Sequence, residues 1–151
     1  MAEEVAIPEN CQQILEDGVY GTLTTIRKKD GLPSTNPVGY VWDGERVRIS
    51  TLKSRLKYRN LEANPAVAFC VVNMQDITQY VELRGHASLV GDPDRSFFRE
   101  QFMRGMGGIE PPADLDPPDA ERVIITIHPQ QVSSPSLYGG RLSNEARKEL
   151  K

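Results

Sequence analysis

The sequence is poor in the features that mark disulfide-rich, metal-binding and membrane-spanning proteins. Its 151 residues include two cysteines, Cys11 and Cys70, and two histidines, with no metal-ligand spacing, so a disulfide scaffold and a metal site are not expected. No apolar run approaches the roughly 20 residues of a membrane-spanning helix. The acidic start Met1–Glu4 is not followed by the apolar region of a signal peptide. We therefore expect a cytoplasmic protein with no membrane partner.

An excess of positive charge is also lacking. The net charge is −3 and the sequence pI is about 5.4, which argues against general nucleic-acid binding, because that activity favours a basic surface. The length is that of one compact domain. We predict a single domain over residues 1–151, with a core at about 8–134 and a polar tail at 135–151.

Hydrophobic periodicity predicts a mainly β fold. Tight turns join most of the predicted strands, which favours a six-stranded antiparallel barrel with a few helices packed outside it. The run Ala66–Asn73 is almost continuously apolar and is predicted to be buried on both faces. The predicted strands are Val19–Arg27, Ser34–Trp42, Arg46–Ser50, Ala66–Asn73, Gln79–Val90 and Ala120–Ile127. The predicted helices are Pro8–Glu16, Ser54–Ala63 and Arg95–Arg104, with a partial helix at Ala146–Leu150.

A loop rich in Gly, Pro and Asp follows the third predicted helix. It covers residues 105–118, and we expect a mobile segment that serves either as a lid or as a packing arm.

The strongest functional signal lies where the third predicted strand gives way to a helix. Two hydroxyl residues, Ser50 and Thr51, precede four cations at every second position, which are Lys53, Arg55, Lys57 and Arg59. The start of a helix offers free backbone N–H groups and the positive end of the helix dipole. Together with hydroxyl and guanidinium groups, these predict an anion site, most naturally for phosphate.

A structural alternative for this segment stays open. Ser54 or Thr51 could act only as a helix N-cap, and exposed lysines and arginines often only face water. Residues four apart share a helix face, so Lys53 pairs with Lys57 and Arg55 with Arg59. Not all four cations can therefore hold one ligand.

Several pieces of the sequence, taken in order, resemble the split-barrel family of flavin-binding proteins related to pyridoxamine 5′-phosphate oxidase. The resemblance covers about residues 8–134. The pieces are Gly21–Thr25, Asp30–Val38, Val41–Gly44, Ser50–Leu61, Asn64–Ala68 and Tyr80–Gly85. Within that family the chain looks most like the short deazaflavin-dependent branch, whose coenzyme is F-420. The arrangement Arg55-x-Lys57-x-Arg59-Asn60 is similar to the cofactor-phosphate segment of that branch.

The resemblance implies an FMN-binding split β-barrel fold and a homodimer with cofactor sites at the subunit interface. The cofactor ring would lie beside Asn36, Pro37 and Val38, and its phosphate and acidic tail would lie near the cationic segment. The complete implied cofactor-binding set is Asn36, Pro37, Val38, Ser50, Thr51, Lys53, Arg55, Lys57, Arg59 and Asn60.

The implied activity is hydride transfer from reduced coenzyme F-420 to an activated double bond of a small organic substrate, such as an enone, a quinone or a tetrapyrrole. One alternative is an FMN-dependent oxidase or reductase of the pyridoxamine-phosphate-oxidase type, although the ending Gly140–Asn144 differs from that of the true oxidase. Another is a non-catalytic protein that binds a flavin, a deazaflavin or a haem pigment.

No catalytic residue is assigned from the sequence, because the cofactor of such a protein carries the hydride. His86, Tyr80 and Tyr40 are candidate proton donors, with a half-exposed strand position as the favoured alternative for His86. His128 is expected to be structural, and Trp42 is expected to pack at the dimer interface rather than on a ligand.

Overall fold

The structure is a computed structural model that describes residues 3–135 and 137, and within them it contains three helices and seven strands. The helices are α1 (Glu9–Asp17), α2 (Leu56–Ala63) and α3 (Ser96–Gly105). The strands are β1 (Tyr20–Ile26), β2 (Pro33–Gly39), β3 (Val41–Trp42), β4 (Val47–Leu52), β5 (Ala66–Val72), β6 (Tyr80–Gly91) and β7 (Arg122–Ser133). The partial helix predicted at Ala146–Leu150 lies outside the described residues.

All seven strands form one antiparallel sheet in the order β2-β1-β5-β6-β7-β4-β3. The sheet curls into a half-barrel with the helices outside it, which confirms the predicted split-barrel fold class. The prediction of six strands was one strand short. The predicted strand Ser34–Trp42 is in fact β2 and β3, which lie at opposite ends of the sheet.

The division falls at Tyr40, and tertiary packing explains it. The Tyr40 side chain is fully buried, and its hydroxyl donates a hydrogen bond to the backbone oxygen of Leu15 in α1, at 2.6 Å. Its ring meets Phe69 of β5 edge to face, with ring centroids 5.2 Å apart. The chain therefore crosses the core at Tyr40 instead of continuing the strand.

The core lies on the concave side of the sheet. Leu23, Phe69, Leu83 and Ile125 have no exposed surface there, and α1 covers them from one end. Burial of such side chains contributes about 1.5–3 kcal/mol each. Trp42 is only 9% exposed and packs into the same cluster. The expectation that Trp42 packs at a dimer interface is therefore wrong, because its ring is already buried within its own chain.

Strand β5 is buried on one face rather than two. Val67, Phe69 and Val71 are buried, whereas Ala66 and Val72 at its ends are exposed. The prediction of burial on both faces was wrong because, in this antiparallel sheet, the chain's own core covers only one face of the strand.

Strand β7 runs on to Ser133, past the predicted end at Ile127. A shift in register between Arg84 and Gly85 of β6 allows this extension, because the two strands keep pairing on both sides of the irregularity. A Cβ atom at Gly85 would lie 2.0 Å from the backbone oxygen of His128, so only glycine fits there. Pairing with β6 thus continues past Pro129.

Candidate functional site

A polar groove of about 570 Å³ opens where β4 ends and the chain turns toward α2. Its other wall is the loop that joins α3 to β7. The polar and charged residues that line it are Ser50, Thr51, Ser54, Arg55, Lys57, Asp116 and Arg122. Four residues predicted from the sequence to bind the cofactor phosphate, Ser50, Thr51, Arg55 and Lys57, thus line one groove.

Backbone geometry brings Arg55 to the groove. Arg55 has an extended conformation, with φ −81° and ψ 148°, so α2 begins at Leu56 rather than at the predicted Ser54. The first backbone N–H groups of a helix have no partner within it, and these lie beside Arg55. The start of α2 therefore adds positive potential to the same groove.

Lys57 shows that the groove is short of negative charge on this side. Burial lowers the pKa of Lys57, and the positive charge of Arg55 lowers it further. Neither residue forms an ion pair with any residue that the structure describes. A bound anion would relieve this repulsion, so the residues present fit a phosphate group.

Arg122, the third cation of the groove, was not among the residues predicted from the sequence. Its Nε and Nη2 donate to the two carboxylate oxygens of Asp116, each at 2.7 Å. Its Nη1 lies 3.4 Å from the hydroxyl oxygen of Ser50. The guanidinium carbon of Arg122 lies 3.7 Å from the ring centroid of Phe98, a cation–π contact that helps to hold the guanidinium in place.

Helix α3 contributes a further residue that the sequence did not reveal. The side-chain oxygen of Gln101 accepts a hydrogen bond from the backbone N–H of Ser50, at 2.8 Å. The same side chain packs against Gly39, the last residue of β2, where an added Cβ would lie 3.5 Å from the Gln101 amide nitrogen. Gln101 therefore connects the groove to the strand that carries Asn36, Pro37 and Val38.

Those three predicted ring-binding residues lie on β2, at one end of the sheet order. The side-chain amide of Asn36 donates to the backbone oxygen of Pro37 at 3.2 Å. A proline within a strand is typical of an edge or a bulge, and β2 is an edge strand of the sheet. None of the three lines the cationic groove in the described part of the chain.

The remaining predicted cofactor residues do not line the groove. Lys53 forms an ion pair with Glu121 at 3.0 Å. A guanidinium nitrogen of Arg59 donates to the backbone oxygen of Ser54 at 2.9 Å, and Asn60 is fully buried, donating to the Thr25 hydroxyl at 3.0 Å. The predicted pairing of Lys53 with Lys57 and of Arg55 with Arg59 is wrong, because α2 begins only at Leu56 and the groove is lined by Arg55 and Lys57 together.

The three candidate proton donors lie outside the groove as well. His86 stacks on His128, with ring centroids 4.9 Å apart, and His128 Nε2 shares a hydrogen bond with the Ser88 hydroxyl at 2.8 Å. Tyr80 is half-buried at the start of β6. Tyr40 lies in the core, where burial raises its pKa to about 12, so its hydroxyl has no open path to a ligand in this chain.

The described residues contain neither a metal-ligand cluster nor a membrane-spanning helix. No group of three His, Cys, Asp or Glu side chains among them is arranged to hold a metal ion. In the same part of the chain, no helix combines the length and the apolar character needed to cross a membrane.

Comparison with known proteins gives a family match over most of the chain. The family model for pyridoxamine 5′-phosphate oxidase matches residues 7–134. A solved structure described as an F420 reductase is 40% identical, with a TM-score of 0.73, and the match covers 84% of this chain and 98% of that one. No curated protein matches the sequence significantly.

Two more distant solved structures share the fold. A putative pyridoxamine 5′-phosphate oxidase from Listeria innocua is 21% identical with a TM-score of 0.65, covering 85% of this chain and 97% of its own. An FAD-binding protein from Mesorhizobium loti is also 21% identical with a TM-score of 0.60, covering 86% of this chain and 95% of its own.

Proposed function

We propose, from the premise that the chain belongs to the pyridoxamine 5′-phosphate oxidase family, that it is an oxidoreductase that uses reduced coenzyme F-420. Its substrate is a small organic molecule with an activated double bond, of the enone, quinone or tetrapyrrole type. The 40% identity to a protein described as an F420 reductase, over nearly all of that protein, supports this coenzyme over FMN.

One observation carries the proposal: Arg55 and Lys57, two cations with no ion-pair partner among the described residues, line one groove at the end of β4. Arg55 and Lys57 face the groove together, and partial burial and then the charge of Arg55 lower the pKa of Lys57. Proteins avoid such an arrangement unless a ligand compensates it. The coenzyme has a phosphate followed by carboxylates, and these anionic groups match the groove.

The residues of this chain have a binding and orienting role. Arg55, Lys57 and Arg122 would hold the phosphate through charge-assisted hydrogen bonds, with the hydroxyls of Ser50 and Thr51 beside them. The bound coenzyme supplies the hydride. The side chains on β2, at Asn36, Pro37 and Val38, would support the ring, and Gln101 keeps that strand in contact with the phosphate groove. Exclusion of water from the ring favours the transfer step.

The same proposal makes the protein a cytoplasmic homodimer with the ring at the subunit interface. A second groove, of about 400 Å³ and mostly apolar, lies on the outer face of β1, β5 and β6. Its apolar surface is the part of the sheet that the second subunit would cover. Light scattering of the purified protein measures the assembly. A monomer that binds the coenzyme at full affinity would contradict the dimeric site.

The direct test is a fluorescence titration of the purified protein with coenzyme F-420 and, separately, with FMN. Saturable binding of F-420 in preference to FMN is expected. Arg55→Ala and Lys57→Ala should each weaken that binding by about 1.5–3 kcal/mol, the loss of one charge-assisted hydrogen bond. Preferential binding of FMN would overturn the choice of coenzyme.

Two matched control variants come from the same segment. Lys53→Ala and Arg59→Ala remove the same charge within a few residues, but these side chains are held by Glu121 and by Ser54 instead of lining the groove. They should change the affinity far less. Equal losses in all four variants would indicate a general charge effect and would overturn the site.

Turnover separates an enzyme from a carrier. Reduced F-420 is mixed with the protein and a panel of enones, quinones and biliverdin, and the absorbance of the oxidised coenzyme is followed. Oxidation with at least one of these acceptors is expected. Tight binding without oxidation by any of them would favour a non-catalytic carrier.

A further inference from the structure

The cationic groove contains a buried carboxylate that belongs to the protein itself. The Asp116 side chain is 4% exposed, and both of its oxygens accept hydrogen bonds from Arg122 at 2.7 Å. A guanidinium nitrogen of Arg95 lies 3.9 Å away. Arg122 and the neighbouring cations Arg95 and Arg55 all lower the pKa of Asp116, so this carboxyl group stays ionised at neutral pH.

The position of this carboxylate is fixed from several sides. Arg95 adopts a left-handed backbone conformation, with φ 59°, and donates from its side chain to the backbone oxygen of Ala120 at 3.1 Å. The guanidinium of Arg122 lies over the ring of Phe98. Left-handed backbone in a non-glycine residue is uncommon and is retained where the surroundings require it. These contacts hold the ionised carboxylate of Asp116 beside the proposed phosphate site.

Asp116 also limits what Arg122 can offer to a ligand. Two of the three guanidinium nitrogens of Arg122, Nε and Nη2, already donate to Asp116. The third, Nη1, faces the Ser50 hydroxyl and the groove. The side-on fork of Arg122, formed by Nε and Nη2, is thus occupied by Asp116, and a phosphate can reach only the N–H groups of Nη1 and the outward N–H of Nη2.

We propose that Asp116 is a specificity-determining residue that favours a coenzyme with a phosphodiester over one with a phosphomonoester. This inference rests on the proposed function and deepens it. A phosphomonoester such as that of FMN carries a charge between about −1.5 and −2 at pH 7. The phosphodiester of coenzyme F-420 carries one negative charge and has two terminal oxygens instead of three. A fixed carboxylate repels the monoester more strongly, and the occupied guanidinium leaves fewer donors for its third oxygen.

Asp116→Asn is the variant that tests the charge. The amide keeps the size of the side chain and one oxygen acceptor for Arg122, but it removes the negative charge. Affinities for FMN and for coenzyme F-420 are measured by fluorescence titration in the wild-type protein and the variant. The ratio of FMN affinity to F-420 affinity should rise about tenfold in D116N. The reason is that the substitution removes the repulsion between Asp116 and the additional negative charge of the monoester.

Asp114→Asn and Asp119→Asn are matched controls. Both residues belong to the same loop and are exposed, and each substitution changes the net charge by the same amount. Neither should alter the ratio of the two affinities. A similar shift in all three variants would indicate a long-range charge effect and would overturn the role of Asp116.

A matched pair of ligands tests the inference in the wild-type protein, without any variant. FMN and its phosphate methyl ester share the same ring and differ at the phosphate, which is a monoester in one and a diester in the other. The wild-type protein should bind the methyl ester at least as tightly as FMN. Tighter binding of FMN by tenfold would overturn the inference even if D116N does not fold.

The outcomes separate this inference from the proposed function. Binding of F-420 with an unchanged affinity ratio in D116N overturns the role of Asp116 and leaves the proposed function standing. Binding of neither coenzyme by the wild-type protein overturns the proposed function, and the inference falls with it.

Discussion

The backbone N–H of Ser50 donates to the side-chain oxygen of Gln101, across 2.8 Å and between strand β4 and helix α3. Strand β3 pairs with β4 only at Arg48 and Val47, so it does not reach Ser50. A backbone donor left without a partner in a partly buried place is costly. Gln101 supplies the acceptor and in doing so positions α3 beside the cationic groove.

Gln101→Leu should lower the free energy of unfolding by about 1–3 kcal/mol, because the N–H of Ser50 loses its partner. Gln101→Glu keeps the acceptor and should lose less stability. It also places a negative charge beside Ser50, so its affinity for coenzyme F-420 should fall. Urea unfolding and coenzyme titration of both variants measure the two effects. Wild-type stability in Gln101→Leu would show that this hydrogen bond is unimportant.

Lys57 is expected to destabilise the protein when no ligand is bound. Burial and Arg55 lower its pKa from the usual 10.5, so the charged form is less favourable in the folded state than in the unfolded state. This cost is full at pH values below the lowered pKa and disappears as the pH rises to the unfolded value. Lys57→Met should therefore stabilise the free protein by about 0.5–1 kcal/mol at pH 7 and weaken coenzyme binding.

Urea unfolding of Lys57→Met at pH 7 and pH 10 gives the check, since the gain should shrink at the higher pH. Lys53→Met is the control, because the ion pair with Glu121 raises the pKa of Lys53 instead. A loss of stability in Lys57→Met would mean that the lysine makes a favourable contact in the free protein.

Asp116 should make stability depend on pH in the acid range. The hydrogen bonds from Arg122 lower the pKa of Asp116 below the usual 3.8. Its contribution is therefore complete above the unfolded pKa and is lost as the pH falls through the lower folded pKa. The wild type should exceed D116N by about 1.5–3 kcal/mol at pH 7, the range for a hydrogen bond to a charged group. Unfolding curves from pH 7 down to pH 2 should show the two proteins converging below about pH 4; a constant difference would count against this pair.

Asn60 is expected to act through stability and not through the ligand. It is fully buried in α2 and donates to the Thr25 hydroxyl of β1, which holds the helix on the sheet. Asn60→Ala should cost about 1–3 kcal/mol of folding stability. Its affinity for F-420, measured at a temperature where the variant is folded, should change much less than that of Arg55→Ala. A large loss of affinity at unchanged stability would show that Asn60 takes part in binding the coenzyme.

Local signals in the sequence were enough for the first hairpin. The run Lys29-Asp30-Gly31 is typical of a turn. In the structure, Gly31 has a positive φ of 73°, which favours glycine at that position. Strands β1 and β2 pair on either side of it, from Tyr20 opposite Gly39 to Ile26 opposite Pro33. The break at Tyr40 was missed because Val41 and Trp42 continue the apolar strand pattern beyond Gly39. It arises from contact with Leu15, in a different element.

The groove also combines residues that are close in sequence with residues that only the fold brings together. Ser50, Thr51, Arg55 and Lys57 lie within eight positions of each other, so sequence spacing could place them together. Arg122 lay inside the predicted strand Ala120–Ile127, and Asp116 was one of the acidic residues of the predicted loop. Nothing in the local sequence distinguished either residue as part of a site. The pairing of β7 with β4 places Arg122 in the groove, and the ion pair with Arg122 holds Asp116 there. No local pattern encodes either contact.

The two prolines of β2 limit how copies of this chain can associate. Strand β2 lies at one end of the sheet, and Pro33 and Pro37 remove backbone donors from it. A strand from another molecule would need those donors to extend the sheet by hydrogen bonding. Growth of the sheet from one molecule to the next along this edge is therefore disfavoured, which protects the folded protein from aggregation there.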